Sequence, residues 1–506
     1  MTWNSFWTFL FCTLLFGLTI KMLSHKLYVR RKQPDILIIG GGAAGVAAAQ
    51  RLHEKGFTRI KIIEAENRLG GRIRTIPFGG NDIDLGAHWV HGEEKNVVNE
   101  MAGPKDLLEH SGDFNEVNYI FSNETELNSG LGMLLFEQAA NLLEDTDTLS
   151  KSEGSVLDYL NNRAKPILFQ ALPSEAKLEA FFNWLVNFEC SVEGCDFLDE
   201  ASAKGLAHYK QCSGDLLLNW KKGGYYSIIE MLLNQFHKDS LASTIEESII
   251  LNCEVSKLDW TGMGVLAKCS NGKVYYGDHA IVTVSLGVLK ERSKALFDPP
   301  LPDYKRKVIA GLGIGTVNKI YLQFPYTWWP KNSSGFSLLW LPEQKVLREG
   351  EFPWELEIIG FYTEKRAINT LSVWLIGKAA KDMECCTEEQ VKAACYRVLK
   401  RFLSFKYTIP EPIDVVRSTW YSNPHFRGSY SFRSVNSEGL GVTAADLAKP
   451  LKNHFGKEVL LFAGEATHSS YYSAVHGAVE SGWREADRLT EMYHFDKLNE
   501  IGKSNL

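Results

Sequence analysis

Three glycines and one acidic residue near the start of the chain have the spacing of a dinucleotide-binding site. Gly40, Gly42 and Gly45 follow an apolar, β-branched run and open an alanine-rich segment, and Glu64 ends the next apolar run. Such glycines allow a tight turn, a close approach of the backbone to a pyrophosphate and close packing of a helix on a strand. The helix N-terminus offers N–H groups to phosphates, and the acid binds ribose hydroxyls, which argues against NADP. The motif leaves NAD and FAD as alternatives.

Three further runs of sequence bear on the choice between NAD and FAD. Gly71 and Arg72 extend the second apolar run, residues 84–92 read Asp-Leu-Gly-Ala-His-Trp-Val-His-Gly, and residues 459–486 carry a Gly-Glu turn between an apolar run and a helical pattern. Together they resemble the flavin-containing amine oxidases, in particular their polyamine oxidase branch, over nearly all of the chain from residue 36 to residue 489. The resemblance implies FAD as the cofactor. Ala474 stands where monoamine oxidases carry a tyrosine, which argues against a monoamine oxidase.

The resemblance also implies which residues bind FAD. They lie in the glycine turns, in the run around residue 88, at one position near the middle of the chain and in the closing run. The predicted FAD-binding residues are Gly40, Gly42, Ala44, Gly45, Glu64, Ala65, Gly71, Arg72, Gly86, Ala87, His88, Trp89, Val255, Trp420, Gly464, Glu465, Ser473 and Ala474.

A single lysine interrupts an apolar, strand-like run at residues 313–324. Lys319 lies either on the solvated face of a strand or inside the protein at a real cost in desolvation. Flavin amine oxidases carry a lysine at this point that holds a water against flavin N5, so the resemblance assigns that role to Lys319. It further implies that His91, Glu189, Tyr430 and Ser473 orient the substrate.

The implied reaction sets physical requirements on the site. A hydride leaves the carbon next to an amine of spermine, spermidine or an N-acetylpolyamine for FAD, and the products are an aldehyde, a shorter amine and H2O2. An alkylammonium has a pKa near that of lysine, about 10.4, so the site must favour the neutral reacting nitrogen. Aromatic walls do this, whereas carboxylates or other acceptors hold the remaining ammonium groups. The candidate wall residues are Trp89, Trp420, Tyr421, Phe426, Tyr430 and Tyr472.

Two alternatives stay open. Histone lysine demethylases share this chemistry, but they carry a long coiled-coil insertion, and the chain has no sustained charged heptads. A non-enzymatic flavoprotein-like scaffold would keep the glycine motif and bind proteins or lipid, and the presence of Lys319, His91 and Glu465 counts against it.

The predicted fold class is α/β. We expect a Rossmann-like, GR2-type FAD-binding domain interleaved with an α+β substrate-binding domain. The predicted ranges are 1–33 for a hydrophobic segment with a basic linker, 34–92, 221–300 and 436–492 for the FAD-binding domain, 93–220 and 301–435 for the substrate-binding domain, and 493–506 for a tail.

The N-terminal segment is apolar and uncharged from residue 3 to residue 20, and basic residues follow it. This length and flank predict an uncleaved transmembrane anchor with a cytosolic catalytic body. A cleaved signal peptide and a secreted product are the alternative. The C-terminal Ser504-Asn505-Leu506 only poorly matches a peroxisomal signal, so a peroxisomal location is not expected.

Composition adds little to the functional assignment. The net charge of −6 gives no support for a nucleic-acid partner, so polyamine and O2 are the expected partners. Nine cysteines show no metal-binding spacing, and no metal is predicted. Cys190, Cys195 and Cys212 lie close enough in sequence to form a disulfide in an oxidising compartment.

Overall fold

The computed structural model describes residues 33–111, 117–172, 174–237 and 248–493. The strands are β1 Ile36–Ile39, β2 Ile60–Ile63, β3 Thr75–Phe78, β4 Asn81–Asp84, β5 Leu108–His110, β6 Val117–Phe121, β7 Glu126–Leu127, β8 Leu218–Trp220, β9 Ile249–Ile250, β10 Val255–Asp259, β11 Val265–Cys269, β12 Val274–Gly277, β13 His279–Val282, β14 Phe297–Asp298, β15 Gly313–Gly315, β16 Val317–Gln323, β17 Gly335–Leu339, β18 Gly360–Thr363, β19 Thr370–Ile376, β20 Asp414–Arg417, β21 Tyr430–Phe432, β22 Leu451–Lys452 and β23 Glu458–Phe462. The α-helices are α1 Ala43–Glu54, α2 Val97–Ala102, α3 Ser129–Glu144, α4 Thr146–Leu149, α5 Val156–Ala171, α6 Glu175–Glu193, α7 Ala203–Leu206, α8 Ser227–His237, α9 Leu286–Leu296, α10 Asp303–Gly311, α11 Gly377–Glu384, α12 Glu388–Leu403, α13 Val435–Leu440, α14 Ala444–Ala448 and α15 Val475–Tyr493.

A six-stranded sheet brings the beginning, middle and end of the chain together. Its order is β22-β23-β13-β1-β2-β9, and only the edge strand β22 runs antiparallel to its neighbour. The carboxyl ends of β1, β13 and β23 therefore lie side by side, where Thr283 N donates to Ile39 O and Ala463 N to Val282 O, both at 3.0 Å. This sheet confirms the predicted Rossmann-like α/β fold.

Helices α1 and α15 pack closely on one another beside this sheet. A Cβ atom on Gly482 of α15 would lie 2.2 Å from the carbonyl oxygen of Ala44 in α1, and one on Gly45 would lie 2.1 Å from Gly40 O. Both positions need glycine because no side chain fits at these distances. The third glycine of the motif thus holds helix and strand together, as predicted.

A seven-stranded mixed sheet carries the predicted catalytic lysine. Its order is β20-β16-β19-β18-β17-β6-β7, so β16 pairs with a strand on each side. Six of the seven residues of β16 are buried. Lys319 is one of them, and it lies opposite Trp374 of β19 in the register.

The end of helix α6 is fixed against a separate two-stranded sheet of β15 and β21, and β15 leads directly into β16. Gly194 ends the helix at a φ of +75°, and its carbonyl oxygen accepts a hydrogen bond from Gly315 N at 2.8 Å. The hydroxyl of Tyr430 donates to Ser191 O in the last turn. These bonds set the position of α6 relative to β16. The predicted domain ranges remain a prediction.

The predicted transmembrane anchor is contradicted. Among the described residues, none of the helices combines the length and the apolar character that crossing a membrane requires. Residues 3–20, on which the prediction was based, lie outside the described part of the chain. The apolar composition of residues 3–20 does not by itself support the assignment of a transmembrane anchor.

The cysteines form no disulfide within the described residues. Cys190, Cys195 and Cys212 are free and buried, as are most of the other described cysteines. They therefore act as small apolar side chains in the core.

Candidate active site

The predicted site residues surround one cavity of about 1420 Å³. All of them line its wall except Gly45, which lies behind the wall and packs α1 on β1. This volume exceeds the range of about 300–1,000 Å³ that is usual for small-ligand pockets, so the cavity has room for a dinucleotide and a substrate together.

The two glycine turns form the nucleotide end of the cavity. Gly42 and Gly70 pair in a parallel bridge, and the nearest atom to a Cβ on Gly42 would be the Cα of Gly71, 3.9 Å away. Helix α1 starts here with no side-chain cap and no acid in its first turn, so its N–H groups face the cavity without a competing anion. Bare backbone and an uncapped helix N-terminus fit a diphosphate.

Glu64 lies at the same end and is buried. Its two carboxylate oxygens accept hydrogen bonds from Gly41 N at 2.5 Å and from Glu66 N at 2.7 Å. Burial raises the pKa of Glu64, and the two N–H donors oppose this shift. The carboxylate is thus held at the turn, where a ribose would lie next to a diphosphate on the α1 N-terminus.

Glu465 joins the first and last signatures of the chain. One oxygen pairs with Nη1 of Arg72 at 3.0 Å, and the other accepts from Ser431 Oγ and from Ser473 N at 2.5 and 2.8 Å. Both oxygens therefore have partners in the protein. The carboxylate fixes the turn after β23 to the second glycine turn.

Lys319 points inward and is completely hydrogen-bonded. Its Nζ atom donates to Asp84 O at 3.1 Å and to Gly86 O at 2.8 Å, and it lies 3.2 Å from Nδ1 of His88. It also lies 4.7 Å from the centre of the Trp374 ring. Burial lowers the pKa of Lys319 to about 8, although the nearby carboxylates oppose this shift. The alternative of a lysine on a solvated strand face is excluded.

Behind Lys319 lies a charged network. Because Nδ1 of His88 accepts from the lysine ammonium, Nε2 carries the proton of the neutral ring and faces the Glu364 carboxylate at 3.9 Å. Burial raises the pKa of Glu364 to about 7 and lowers that of His88. Asp84 is fully buried and pairs with Arg366 at 3.3 Å.

His91 presents one defined nitrogen to the cavity. Its Nδ1 lies 2.8 Å from Leu216 O, and because a carbonyl only accepts, Nδ1 carries the proton. Burial lowers the pKa of His91, which keeps the ring neutral. Nε2 is then an acceptor, suited to an N–H group of a substrate.

Glu189 and Glu193 lie one turn apart on α6 and both line the cavity. Among the described residues, no hydrogen-bond donor or cationic side chain pairs with either carboxyl group. Burial raises the pKa of Glu189 to about 8, with a further contribution from the charge of Glu193, and raises that of Glu193 to about 7. Both acids are on α6, whereas Lys319 is on β16 and the carboxyl groups that affect its pKa are those of Asp84 and Glu364, so the two acids form a separate part of the cavity wall.

The hydroxyl groups of Tyr430 and Ser473 already have partners in the protein. That of Tyr430 donates to Ser191 O, and that of Ser473 donates to Ser431 O. Each hydroxyl therefore offers a substrate only its acceptor lone pairs. Ser473 has a φ of +68°, an uncommon conformation for a residue other than glycine, next to the cavity.

Aromatic rings line the space between the two ends. Trp89 stacks on Trp374 with ring centres 5.5 Å apart, and Trp420, Phe426 and Tyr472 also line the wall. Tyr421 was predicted with them but does not line the cavity, and it is 42% exposed. Its backbone N–H donates to Glu384 instead, which turns the residue away from the cavity.

Comparison with known proteins assigns the family. The sequence model described as "Flavin containing amine oxidoreductase" matches residues 43–490. The chain belongs to this family. The predicted class of enzyme, an FAD-dependent amine oxidoreductase, is confirmed, and FAD is its cofactor.

Several known relatives cover most of this amine oxidoreductase. It is 31% identical to the peroxisomal N(1)-acetyl-spermine/spermidine oxidase of Homo sapiens, over 91% of this chain and 95% of the relative. It is 30% identical to probable polyamine oxidase 5 of Arabidopsis thaliana, over 91% and 99% of the two chains. A solved structure of putrescine oxidase bound to putrescine shares the fold, with a TM-score of 0.67 at 20% identity over 91% and 99%.

The names of the relatives also bear on the predicted location. The relatives from Homo sapiens and Bos taurus are named as peroxisomal enzymes. They give no support to the predicted membrane-anchored cytosolic body, and the dismissal of a peroxisomal location on the last three residues was not justified.

Sequence reasoning missed three groups of the site. Glu193 had a signal, because it lies four residues after Glu189 and therefore on the same face of the helix. Trp374 and Glu364 had none, because they reach Lys319 only through the pairing of β16 with β19 and the chain that leads into β19.

Proposed function

We propose that this amine oxidoreductase is a polyamine oxidase that oxidises the carbon next to an amine of spermine, spermidine or an N-acetylpolyamine, with O2 as acceptor. The names of its relatives support this substrate class. The observation that carries the proposal is one cavity lined both by a buried ammonium group, that of Lys319, and by a buried carboxyl group, that of Glu189, which has no partner among the described residues.

The cofactor has a fitting cradle in this structure. FAD, when bound, supplies the chemistry of accepting a hydride from the substrate carbon and of passing two electrons to O2, which leaves as H2O2. Gly42, Gly71 and Glu64 would hold its dinucleotide part. The salt bridge of Arg72 with Glu465 would keep the two parts of the chain in register around it.

The protein controls the protonation of the substrate. The aromatic wall around Trp89 and Trp374 withdraws water from the reacting nitrogen, which favours its neutral form. His91 accepts an N–H bond through Nε2 and orients the amine. Glu189 holds an ammonium group remote from the reaction, and water hydrolyses the product imine to an aldehyde and a shorter amine.

Lys319 holds the reactive water in this proposal. Its ammonium is fixed by Asp84 O and Gly86 O, so a water that replaced Nδ1 of His88 as the third acceptor would have a defined position. Tyr430 and Ser473 shape the same wall. Residues 93–220 and 301–435, as the substrate-binding domain, are part of the same proposal.

A screen of purified protein for peroxide release over diamines and polyamines tests the proposal. We expect a yellow protein with flavin absorption that releases H2O2 with polyamines, and mass spectrometry of the aldehyde identifies the carbon oxidised. Bound flavin with no peroxide from any amine would favour the scaffold alternative. Peroxide from a methylated-lysine peptide and not from polyamines would favour the demethylase alternative.

A further inference from the structure

Among the described residues, none pairs with the carboxyl group of Glu193, and Glu193 has no role in the reaction described so far. It lies one helical turn after Glu189 and lines the same cavity. Glu189 is only 5% exposed, and among the described residues neither carboxyl group has a hydrogen-bond donor or a cation as partner. A buried carboxylate without a partner is costly, so the pair stays partly protonated unless a ligand with positive charge stabilises the ionised form.

The spacing of the pair matches the spacing of nitrogens in a polyamine. Side chains four residues apart on a helix have Cβ atoms about 5–6 Å apart. An aminopropyl or aminobutyl unit has its two nitrogens about 5–6 Å apart when extended, given single bonds of about 1.5 Å. Two neighbouring ammonium groups can therefore each meet one carboxylate.

The tyrosine and cysteine side chains next to the pair carry no charge. The titratable side chains whose pKa responds to Glu193 are Tyr209, Tyr430, Tyr472 and Cys195, and burial raises the pKa of each. All four are neutral at neutral pH. Arg433 and Glu438 also act on Tyr472, but they pair with each other, and among the described residues no cation pairs with Glu189 or Glu193.

We infer that Glu189 and Glu193 together bind two neighbouring ammonium groups at the end of the substrate that does not react, so that the enzyme selects polyamines with at least three nitrogens and an unacetylated far end. This inference rests on the proposed function. Two groups at the acidic end plus one reacting nitrogen near Lys319 give the minimum of three. Glu193 is a specificity-determining residue in this arrangement.

The test compares spermine with diacetylspermine, which is acetylated at both ends. In the wild-type holoenzyme, we expect the KM for spermine to be at least about tenfold lower, since one charge-assisted contact is worth about tenfold to hundredfold in affinity. This comparison needs no variant. Equal KM values for the two amines would overturn the inference.

Glu193→Gln keeps the shape of the side chain and removes its charge. We expect the KM for spermine to rise about tenfold, with kcat within about twofold and the KM for diacetylspermine within about twofold. Glu179→Gln is the matched control on the same helix, because Glu179 pairs with Lys165 at 2.7 Å outside the cavity. Equal losses with both amines would indicate a structural role and overturn the inference.

The pH dependence separates binding from packing. As the pH rises from about 6 to about 8, both carboxyl groups lose their protons, so the wild-type KM for spermine should fall. Glu193→Gln should flatten this fall, and Glu193→Asp, which keeps the charge, should restore much of it. An unchanged profile in Glu193→Gln would contradict the inference.

The proposed function and the inference fail in different ways. Absence of peroxide with every polyamine overturns the function and the inference with it. Oxidation of polyamines without any preference for a free far end overturns only the inference.

Discussion

The two ends of the cavity differ in how their charged groups are satisfied. At one end the Lys319 ammonium has three partners in the protein, Asp84 O, Gly86 O and Nδ1 of His88. At the other end, Glu189 and Glu193 have no such partner among the described residues. Both ends are buried, and both shift pKa values by desolvation.

The Lys319 ammonium is therefore held in place before a substrate binds, whereas the carboxyl groups of Glu189 and Glu193 gain a partner only when a ligand binds. A buried cation with all its donors satisfied stabilises the fold and keeps one geometry before the substrate arrives. An unpaired carboxyl destabilises the fold until a ligand brings the opposite charge. The same cavity thus has a rigid group where the reaction takes place. Where the substrate is recognised, it has unpaired carboxyl groups that a cationic ligand would stabilise.

The largest effect is expected from Lys319→Met. Loss of the ammonium should slow reoxidation by O2 at least about 100-fold, the size of effect typical of a positioned proton donor. It also removes the donor to Gly86 O, whereas Asp84 O keeps its bond from the Tyr321 hydroxyl, so unfolding should become easier by about 1–3 kcal/mol. Stopped-flow measurement of anaerobic reduction and of reoxidation, together with thermal melting, checks both.

Lys331→Met is the control, because Lys331 is exposed on the rim of the same cavity. If both half-reactions of Lys319→Met proceed at wild-type rates, Lys319 has no role in the chemistry.

A smaller effect, with the opposite sign in stability, is expected from Glu189→Gln. The KM for spermine should rise about tenfold to hundredfold. Burial raises the pKa of the Glu189 carboxyl in the folded state to about 8, above its usual value of 4.5, so the folded state binds an extra proton between these pH values. Wild-type stability should therefore fall as pH rises through this window, and the variant should lose that dependence and melt higher at the upper end.

Thermal melting of both proteins from about pH 5 to about pH 9 makes this measurement. Glu179→Gln serves again as the control on α6. A variant that melts lower than wild type at every pH would show that Glu189 has a stabilising partner, which would remove the contrast between the two ends.

The smallest effect is expected from Glu364→Gln. The carboxylate raises the pKa of Lys319 against the effect of burial, so its removal should lower that pKa further. The upper limb of the pH profile for reoxidation should move down by about half a unit to one unit, while the rate near pH 7 changes less than about threefold. The exposed Glu343→Gln should leave the profile in place, and an unmoved limb in Glu364→Gln would disconnect Glu364 from Lys319.

The family and the cofactor FAD could be predicted from the sequence, because the motifs that indicate them are local. Gly40, Gly42 and Gly45 lie within one local turn, where close packing admits no side chain at Gly40 and Gly45 and Gly42 leaves the backbone bare, so their spacing alone carries the geometry. Glu189 and Glu193 share a helix face for the same reason, since a period of 3.6 residues is a local property. The hydrophobic stretch at residues 3–20 is local as well, yet its pattern alone did not establish a membrane anchor.

The pairing of the charged groups depends on the tertiary structure and could not be predicted from the sequence. In a strand, Lys319 and Tyr321 share one face, but the sequence does not say which face is inside. The structure buries this face, and the side chains of Lys319 and Tyr321 both donate hydrogen bonds to Asp84 O. Trp374 reaches Lys319 through the register of β16 and β19. Among the described residues, the fold places no hydrogen-bond donor or cation next to the carboxyl group of Glu189. Such pairings join residues that are distant in the chain, so the spacing of residues within a short segment does not predict them.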